Sequence, residues 1–445
     1  LGLIVFFDDY ANTLLLGNTL RPLFDRLKIS REKLAYLVDS TAAPVAGLAL
    51  VSTWVAVEIE YVRDGLEMLG PDTSLQAIDL FVASIPYRFY VLAALLFVPL
   101  VAITGRDFGP MLGAERRRLR EDASDVDEDL LMTDSSEDTP PPARWYNAVL
   151  PIALTLAVVM VLLYVTGLHA LGPIAEGETP EWRDILKGAK SSLALQYGSL
   201  AGLCLAMFLA RVQGLLSGQA LMDAVGGGVK VVLPAILILW CASAMSRMTS
   251  SKSFEGVASQ TAYEFQNHRL YTGKYLTQLV LPSGQHGDGE DASVGLDLTV
   301  KLLPTAVFLL AAVLSFSTGT SFGTMGILMP MVVTLTHSVL LAHQGSVPAS
   351  NPILLACIGS VLAGAIFGDH CSPISDTTIL SSQACGCDHI AHVVTQLPYA
   401  LTVAVVVVLC GTLPIGWGLS VWLLLPMQLV GLVAVLMIAG KPVDG

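Results

Sequence analysis

The stretch Phe367-Gly368-Asp369-His370-Cys371-Ser372-Pro373-Ile374-Ser375-Asp376-Thr377-Thr378 follows directly on the apolar run 353–366. It gathers two carboxylates, an imidazole and several hydroxyls beside segments long enough to lie in lipid. Ionisable side chains are costly at membrane depth, and where they occur they mark ion pathways and proton relays. Gly368 and Pro373 both disfavour a continuous helix, and broken backbone at that depth persists only where protein or water lines it. The stretch therefore reads as an ion or substrate site in a membrane-embedded bundle of helices.

Composition agrees with that class. The 445 residues are 53% hydrophobic and 14% charged, with a mean hydropathy of +0.65, a balance suited to an all-α polytopic membrane protein. The apolar runs predict roughly nine to eleven transmembrane helices or half-helices. A net charge of -13 excludes nucleic acid as a partner, because phosphate binding needs a basic surface. Seven cysteines lack a CxxC pair, and Cys385-Gly386-Cys387 has the wrong spacing for structural zinc, so they read as small apolar fillers. The chain opens on Leu1-Gly2-Leu3-Ile4-Val5-Phe6-Phe7 without an initiator Met, which reads as the tail of a helix already under way in a chain lacking its N-terminal helices.

Upstream of the opening stretch, residues 302–316 form an apolar span that runs into Ser317-Thr318-Gly319-Thr320-Ser321-Phe322-Gly323-Thr324. Glycines alternating with hydroxyls let the chain unwind and turn carbonyl and Oγ atoms toward one place, as a partly dehydrated Na+ requires. A plain helix-packing surface is the competing reading. The run is expected to end at Pro330. Near the start, Phe7-Asp8-Asp9-Tyr10-Ala11-Asn12 puts paired acids and an amide inside apolar sequence, and Gly17, Asn18 and Pro22 are expected to interrupt the helix that follows. Asp8 and Asp9 read as in-membrane acids rather than a solvated helix end.

These motifs resemble the NhaC family of Na+/H+ antiporters. The resemblance rests on Gly-Asp-His-Cys-Ser-Pro-Ile-Ser-Asp-Thr-Thr at 368–378, on the 319–325 and 7–12 motifs, and on Asp39-Ser40-Thr41-Ala42-Ala43-Pro44, Ser52-Thr53-Trp54 and Ile85-Pro86-Tyr87-Arg88-Phe89-Tyr90. It implies a secondary transporter with two related halves and discontinuous helices. It also implies a transported-ion site drawn from Asp369, Asp376, His370, Ser372, Ser375, Thr377, Thr320, Ser321, Thr324, Asp8, Asp9, Asn12, Thr53 and Glu58.

Taken in order, residues 1–104 read as the first transporter half. Arg21, Arg26, Lys28, Arg31 and Lys33 form a basic loop that the positive-inside rule puts in the cytoplasm. Residues 39–62 read as one apolar span, and residues 80–104 as the return crossing, with Arg88 snorkelling at its interface or, if buried, paired with Glu58 or Glu60. Residues 105–144 carry Arg116, Arg117, Arg118 and Arg120, then nine acids between Glu121 and Asp138 and Pro140-Pro141-Pro142. That segment is expected to be a disordered cytoplasmic linker. Residues 145–445 hold the remaining helices and the second-half ion site. Gly198-xxx-Gly202 is expected to admit a neighbouring helix closely, residues 271–281 carry a Thr-Gly-x-Tyr-Leu element similar to the family's, and His389 and His392 read as interfacial.

An exchanger of Na+ for H+ needs a carboxylate for which proton and cation compete and neutral oxygens that strip water only partly; Asp369 and Asp376 supply the first, and the hydroxyls supply the second. Alternating access would rock one half against the other. Two rivals stand beside this reading: an exchanger of organic acids or amino acids coupled to H+ or Na+, which would need a basic clamp such as Arg88, and an intramembrane hydrolase using Ser372 or Cys371 with His370. Neighbouring residues rarely meet as nucleophile and base, and no G-x-S-x-G elbow is present. The expected partners are the lipid bilayer of the cell membrane, Na+ and H+, with no cofactor and no tightly bound metal; a homo-oligomer is left open.

Overall fold

The computed structural model describes residues 8–49, 52–69, 75–120, 144, 146–171, 185, 189, 191–249 and 290–443, with Gly2, Val5 and Phe6 ahead of the first helix. Among the described residues the protein is helical apart from one two-residue strand pair. Among the described residues six helices are long and apolar enough to cross a membrane, or seven if the bent pair Ala77–Tyr87 and Phe89–Thr104 counts as one span. This is a multi-pass membrane protein. The Thr-Gly-x-Tyr-Leu element at 271–281 and the acidic run 121–138 lie outside the described residues.

Two compact units are present, one of residues 1–122 and 238–445, the other of residues 123–237. In the second, α7 (Tyr146–Leu171) packs against α8 (Ser191–Val212). Gly198 and Gly202 make this approach, since a Cβ on either would fall 3.0 Å from the carbonyl oxygens of Thr155 and Pro151 respectively. Close backbone contact between small residues is the way lipid-embedded helices gain packing energy.

The first unit begins with α1 (Asp9–Arg26), α2 (Arg31–Ala46) and α3 (Thr53–Glu67). Residues 39–62, expected as one span, are divided between α2 and α3: Gly47 ends the former and Ser52, with its side chain accepting from Val55 N, caps the latter. The expected interruption of α1 at Gly17, Asn18 and Pro22 does not occur. Gly17 instead serves close packing, because a Cβ there would stand 2.5 Å from that of Ala384. Next come α4 (Ala77–Ser84), a 3-10 turn at Ile85–Tyr87 and α5 (Phe89–Thr104), bent by 46° at Arg88.

Arg106 to Arg120, expected to be disordered, is folded as β1 (Arg106–Asp107) and α6 (Gly109–Arg120). Met111 and Ala114 are buried, Asp107 is buried against Lys33 Nζ at 2.7 Å and Tyr399 Oη at 2.5 Å, and Arg118 reaches Asp25 at 3.1 Å. Composition alone missed this because the apolar residues are few and the acidic run that follows dominates the average. β1 pairs with β2 (Lys441–Pro442) and ties the chain's far end to this face.

Helix α9 (Gly218–Thr249) has residues in each unit, and the second part of the first unit adds α10 (Glu290–Thr318), α11 (Ser321–Gln344), α12 (Pro352–Cys371), α13 (Asp376–Cys385), α14 (His389–Val407), α15 (Leu413–Gly416) and α16 (Val421–Ala439). Helix α12 is the core of the unit, with every residue but Pro352 and Phe367 buried. Its glycines admit neighbouring backbone: a Cβ on Gly364 would lie 2.5 Å from Phe308 O, and one on Gly368 would lie 2.6 Å from Phe316 N. Gly368 is thus a packing glycine inside the helix, and the expected break falls only at Pro373. Pro330, likewise expected to end a run, sits inside α11. Its missing N–H is tolerated in a long buried helix because neighbouring groups re-satisfy the backbone.

Candidate functional site

Three helix interruptions set the site. Between α10 and α11 the chain unwinds for two residues: Gly319 adopts φ +65°, a conformation that favours glycine, and Thr320 caps α11 by accepting from Gly323 N at 3.3 Å. Between α12 and α13, residues 372–375 leave the helix, with Pro373 unable to continue it. Gly319 packs directly on this second break, since a Cβ there would lie 2.8 Å from Ile374 O. The third is the start of α1, where Asp8 caps the helix by accepting from Ala11 N at 2.9 Å.

Asp369, on the last turn of α12, faces the first break. Its Oδ2 accepts from Ser321 Oγ at 3.0 Å, and Ser321 Oγ is also 3.2 Å from Ala365 O, a carbonyl that Ser315 Oγ reaches at 2.6 Å. Asp369 Oδ1 is buried with no hydrogen-bond partner among the described residues. Asp376 opens α13, where carboxylates favour the exposed N–H groups of a first turn; its Oδ1 accepts from Thr377 N at 2.8 Å and its Oδ2 from the Tyr10 hydroxyl of α1. The two aspartates are within electrostatic reach of one another, and Asp9 is within reach of Asp376. Ser375, just ahead of α13, and Thr377 are buried with their hydroxyls 3.1 Å apart. Asp8 Oδ2 accepts from Thr53 Oγ1 at 3.2 Å, which brings the cap of α1 onto the start of α3.

The structure thus brings Asp369, Ser321, Asp376, Ser375, Thr377, Asp8, Asp9 and Thr53 onto a set of adjoining helix ends. Other expected site residues turn elsewhere. Asn12 Nδ2 donates to Val5 O at 2.9 Å and Gly2 O at 2.8 Å, holding the chain that leads into α1. Thr324 Oγ1 donates to Thr320 O at 3.0 Å, and Ser372 Oγ accepts from Ile374 N at 3.4 Å, so both brace their own turns. His370 points away from Asp369, with Nδ1 3.3 Å from the Tyr90 hydroxyl of α5.

Glu58 is fully buried and paired with Arg88 at 2.8 Å. Arg88 does not snorkel: it is 1% exposed, donates to Gly47 O at 2.6 Å and lies over the Phe81 ring at 4.3 Å. Glu60, the other partner considered, is exposed and pairs with Arg63. His392, expected at an interface, is fully buried, while His389 Nε2 stands 2.7 Å from Pro373 O and braces the second break.

Asp39, which the sequence places with the other acids beside broken apolar spans, joins this interior; sequence reasoning missed Tyr10, His392 and Gln396 as parts of it. Asp39 Oδ2 accepts from Gln396 Nε2 at 2.5 Å and from Thr378 Oγ1 at 3.3 Å, with His392 Nε2 3.6 Å away. A signal was available for Gln396, which with Thr395 and His392 puts polar groups into an otherwise apolar helical sequence that a lipid-facing surface does not explain.

The geometry can be set beside known proteins. The sequence profile of the Na+/H+ antiporter family matches residues 45–261 and 291–417. An uncharacterized protein of Haemophilus influenzae is 33% identical over 402 residues, covering 90% of this chain and 67% of that protein. An uncharacterized Na(+)/H(+) antiporter of the same organism is 41% identical over 114 residues, 25% of this chain and 22% of that protein. The malate-2H(+)/Na(+)-lactate antiporter of Bacillus subtilis is 35% identical over 92 residues, 21% of this chain and 17% of that protein. No solved structure matches this chain. The profile covers most of a multi-pass helical protein whose interrupted helices gather acids and hydroxyls, and the chain belongs to the Na+/H+ antiporter family.

Proposed function

We propose that this chain is an NhaC-type exchanger of Na+ for H+ working by alternating access, with Asp369 and Asp376 as the charged ligands of the cation and Ser321, Ser375 and Thr377 as neutral ones. The observation that carries the reading is Asp369: a buried carboxylate with one oxygen held by Ser321 and the other without a partner among the described residues. Such a group in low dielectric calls for a compensating cation or proton. Na+ supplies the charge in one half of the cycle and H+ in the other. Helix ends that meet at unwound turns are the parts that rocking of one bundle against another can open to either side.

The organic-acid reading has one observation in its favour, the short stretch of similarity to a malate-2H(+)/Na(+)-lactate antiporter. Against it stands the charge of Arg88, the base that would hold a substrate carboxylate: Glu58 at 2.8 Å already balances it, even though Nε and Nη2 have no partner among the described residues. The test is the protein in proteoliposomes with a pH-sensitive dye inside. A Na+ gradient alone should drive proton movement, and Asp369→Asn and Asp376→Asn should abolish it. If no proton moves until lactate, malate or an amino acid is added, the cation reading is wrong.

A further inference from the structure

The inward face of α1 carries three oxygen-bearing side chains that the proposed cation ligands leave out. Asp9, Asn12 and Thr13 stand at i, i+3 and i+4, the spacing that sets side chains next to one another on a helix. All three are buried: Asp9 is 4% exposed, and Asn12 and Thr13 are 0% exposed. Leu16 and Gly17 continue the same face, with Gly17 held against Ala384 of α13. The oxygens are thus enclosed by protein, at the end of α1 where the cation site begins.

Two of these oxygens are bare. Asn12 donates from Nδ2 to Val5 O at 2.9 Å and to Gly2 O at 2.8 Å. A backbone carbonyl only accepts, so both amide hydrogens are committed and the nitrogen is fixed on that side. Oδ1 is left buried without a partner among the described residues, and so is Thr13 Oγ1. Buried polar atoms are nearly always satisfied, and two bare oxygens beside a buried carboxylate call for an explanation. The charge of Asp9 calls for one too, because the charged groups within reach of it, Asp8 and Asp376, are both acids, and the Trp54 indole beside it is neutral. A water would serve the oxygens and leave the charge. A proton on Asp9 would remove the charge and offer a hydrogen to at most one of the oxygens. A cation answers both needs, and a hydroxyl that ligates it through a lone pair can still donate.

We propose that Asp9, Asn12 Oδ1 and Thr13 Oγ1 hold a second Na+, in addition to the cation at Asp369 and Asp376, so that the protein binds two cations at once. This deepens the reading given under Proposed function and rests on it for the identity of the ion. One carboxylate with two neutral oxygens suits a small monovalent cation, whereas Ca2+ takes about six to eight oxygens. Asp376 connects the two positions, being within electrostatic reach of both Asp9 and Asp369 and accepting from the hydroxyl of Tyr10, the residue after Asp9. The bonds from Asn12 to the chain ahead of α1 then have a second use: they aim the amide oxygen at the ion.

Equilibrium dialysis of the purified protein against radiolabelled Na+, with choline as the background cation, counts the ions. At saturation the wild type should bind two per chain, and Asp9→Asn and Asp369→Asn one each. Thr13→Val keeps the shape of the side chain and removes its oxygen, so it should weaken one of the two sites and leave the other as in the wild type. It carries the comparison should Asp9→Asn fail to give a monodisperse preparation. One ion on the wild type overturns the second position, as does a monodisperse Asp9→Asn protein that binds two ions or none, or Thr13→Val with both wild-type affinities. No ion on the wild type, or two on Asp369→Asn, overturns the cation-site reading itself.

Discussion

Replacing one member of the Glu58–Arg88 pair should expose how the two halves of a buried ion pair differ. Both side chains are at most 1% exposed, the contact is 2.8 Å, and Arg88 Nε and Nη2 already lack partners among the described residues. In Glu58→Gln the guanidinium keeps its charge, because arginine does not deprotonate in proteins, and it loses its counter-ion. Stranding a buried charge costs about 3–5 kcal/mol. At roughly 2–4 °C of melting temperature per kcal/mol in mid-sized domains, a fall on the order of 10 °C is expected. In Arg88→Met the stranded group is a carboxylate, which escapes the cost by taking up a proton, so the fall should be smaller. The double variant should be more stable than Glu58→Gln alone, since a buried pair replaced by neutral groups is often near neutral in stability. Thermal loss of the monodisperse peak in detergent measures all three. Additive losses in the double variant, or an unshifted Glu58→Gln, would refute the argument and leave Arg88 as a solvated group.

Ser321→Ala removes a hydroxyl beside the Asp369 carboxylate at 3.0 Å, one of the proposed neutral ligands of the cation, so half-saturation for Na+ should rise in transport assays while the fold is retained; an unchanged half-saturation would take Ser321 out of the site. Gly364→Val should sharply lower the yield of folded protein, because its side chain would enter the backbone of Phe308 on α10, whereas Gly113→Val on α6, where a Cβ meets nothing within 4 Å, should leave the yield unchanged. A cysteine at Ser124 in a cysteine-free background should resist an impermeant thiol reagent applied outside intact cells, as the arginine-rich stretch beside it predicts; efficient labelling would reverse the orientation.

Apolar length and the scarcity of charge were enough to read a multi-pass helical membrane protein, because lipid demands both properties of each span separately. Pro373 and Gly319 could be read as breaks for a similarly local reason: one cannot continue a helix and the other relieves a left-handed turn. Gly17 and Gly368 were ambiguous in sequence. A glycine breaks a helix or lets another helix approach, and only the presence of Ala384 or of Phe316 in space decides which.

The fate of each polar side chain was likewise a tertiary matter. Arg88 lies near the start of a span, and nothing local says whether its head group reaches water; the fold places Glu58 and Gly47 O beside it, and it stays buried. His392 and Asp39 are 353 positions apart and meet only because α2 and α14 pack together. The sequence by itself determined the solvent of this protein, the class of its helices and the stretches where they break, since those depend on runs of neighbouring residues. Which acids share a chamber, which base is already neutralised and which histidine is held beside a carboxylate were decided by tertiary packing, because the energy of a buried charge depends on the groups that surround it in space.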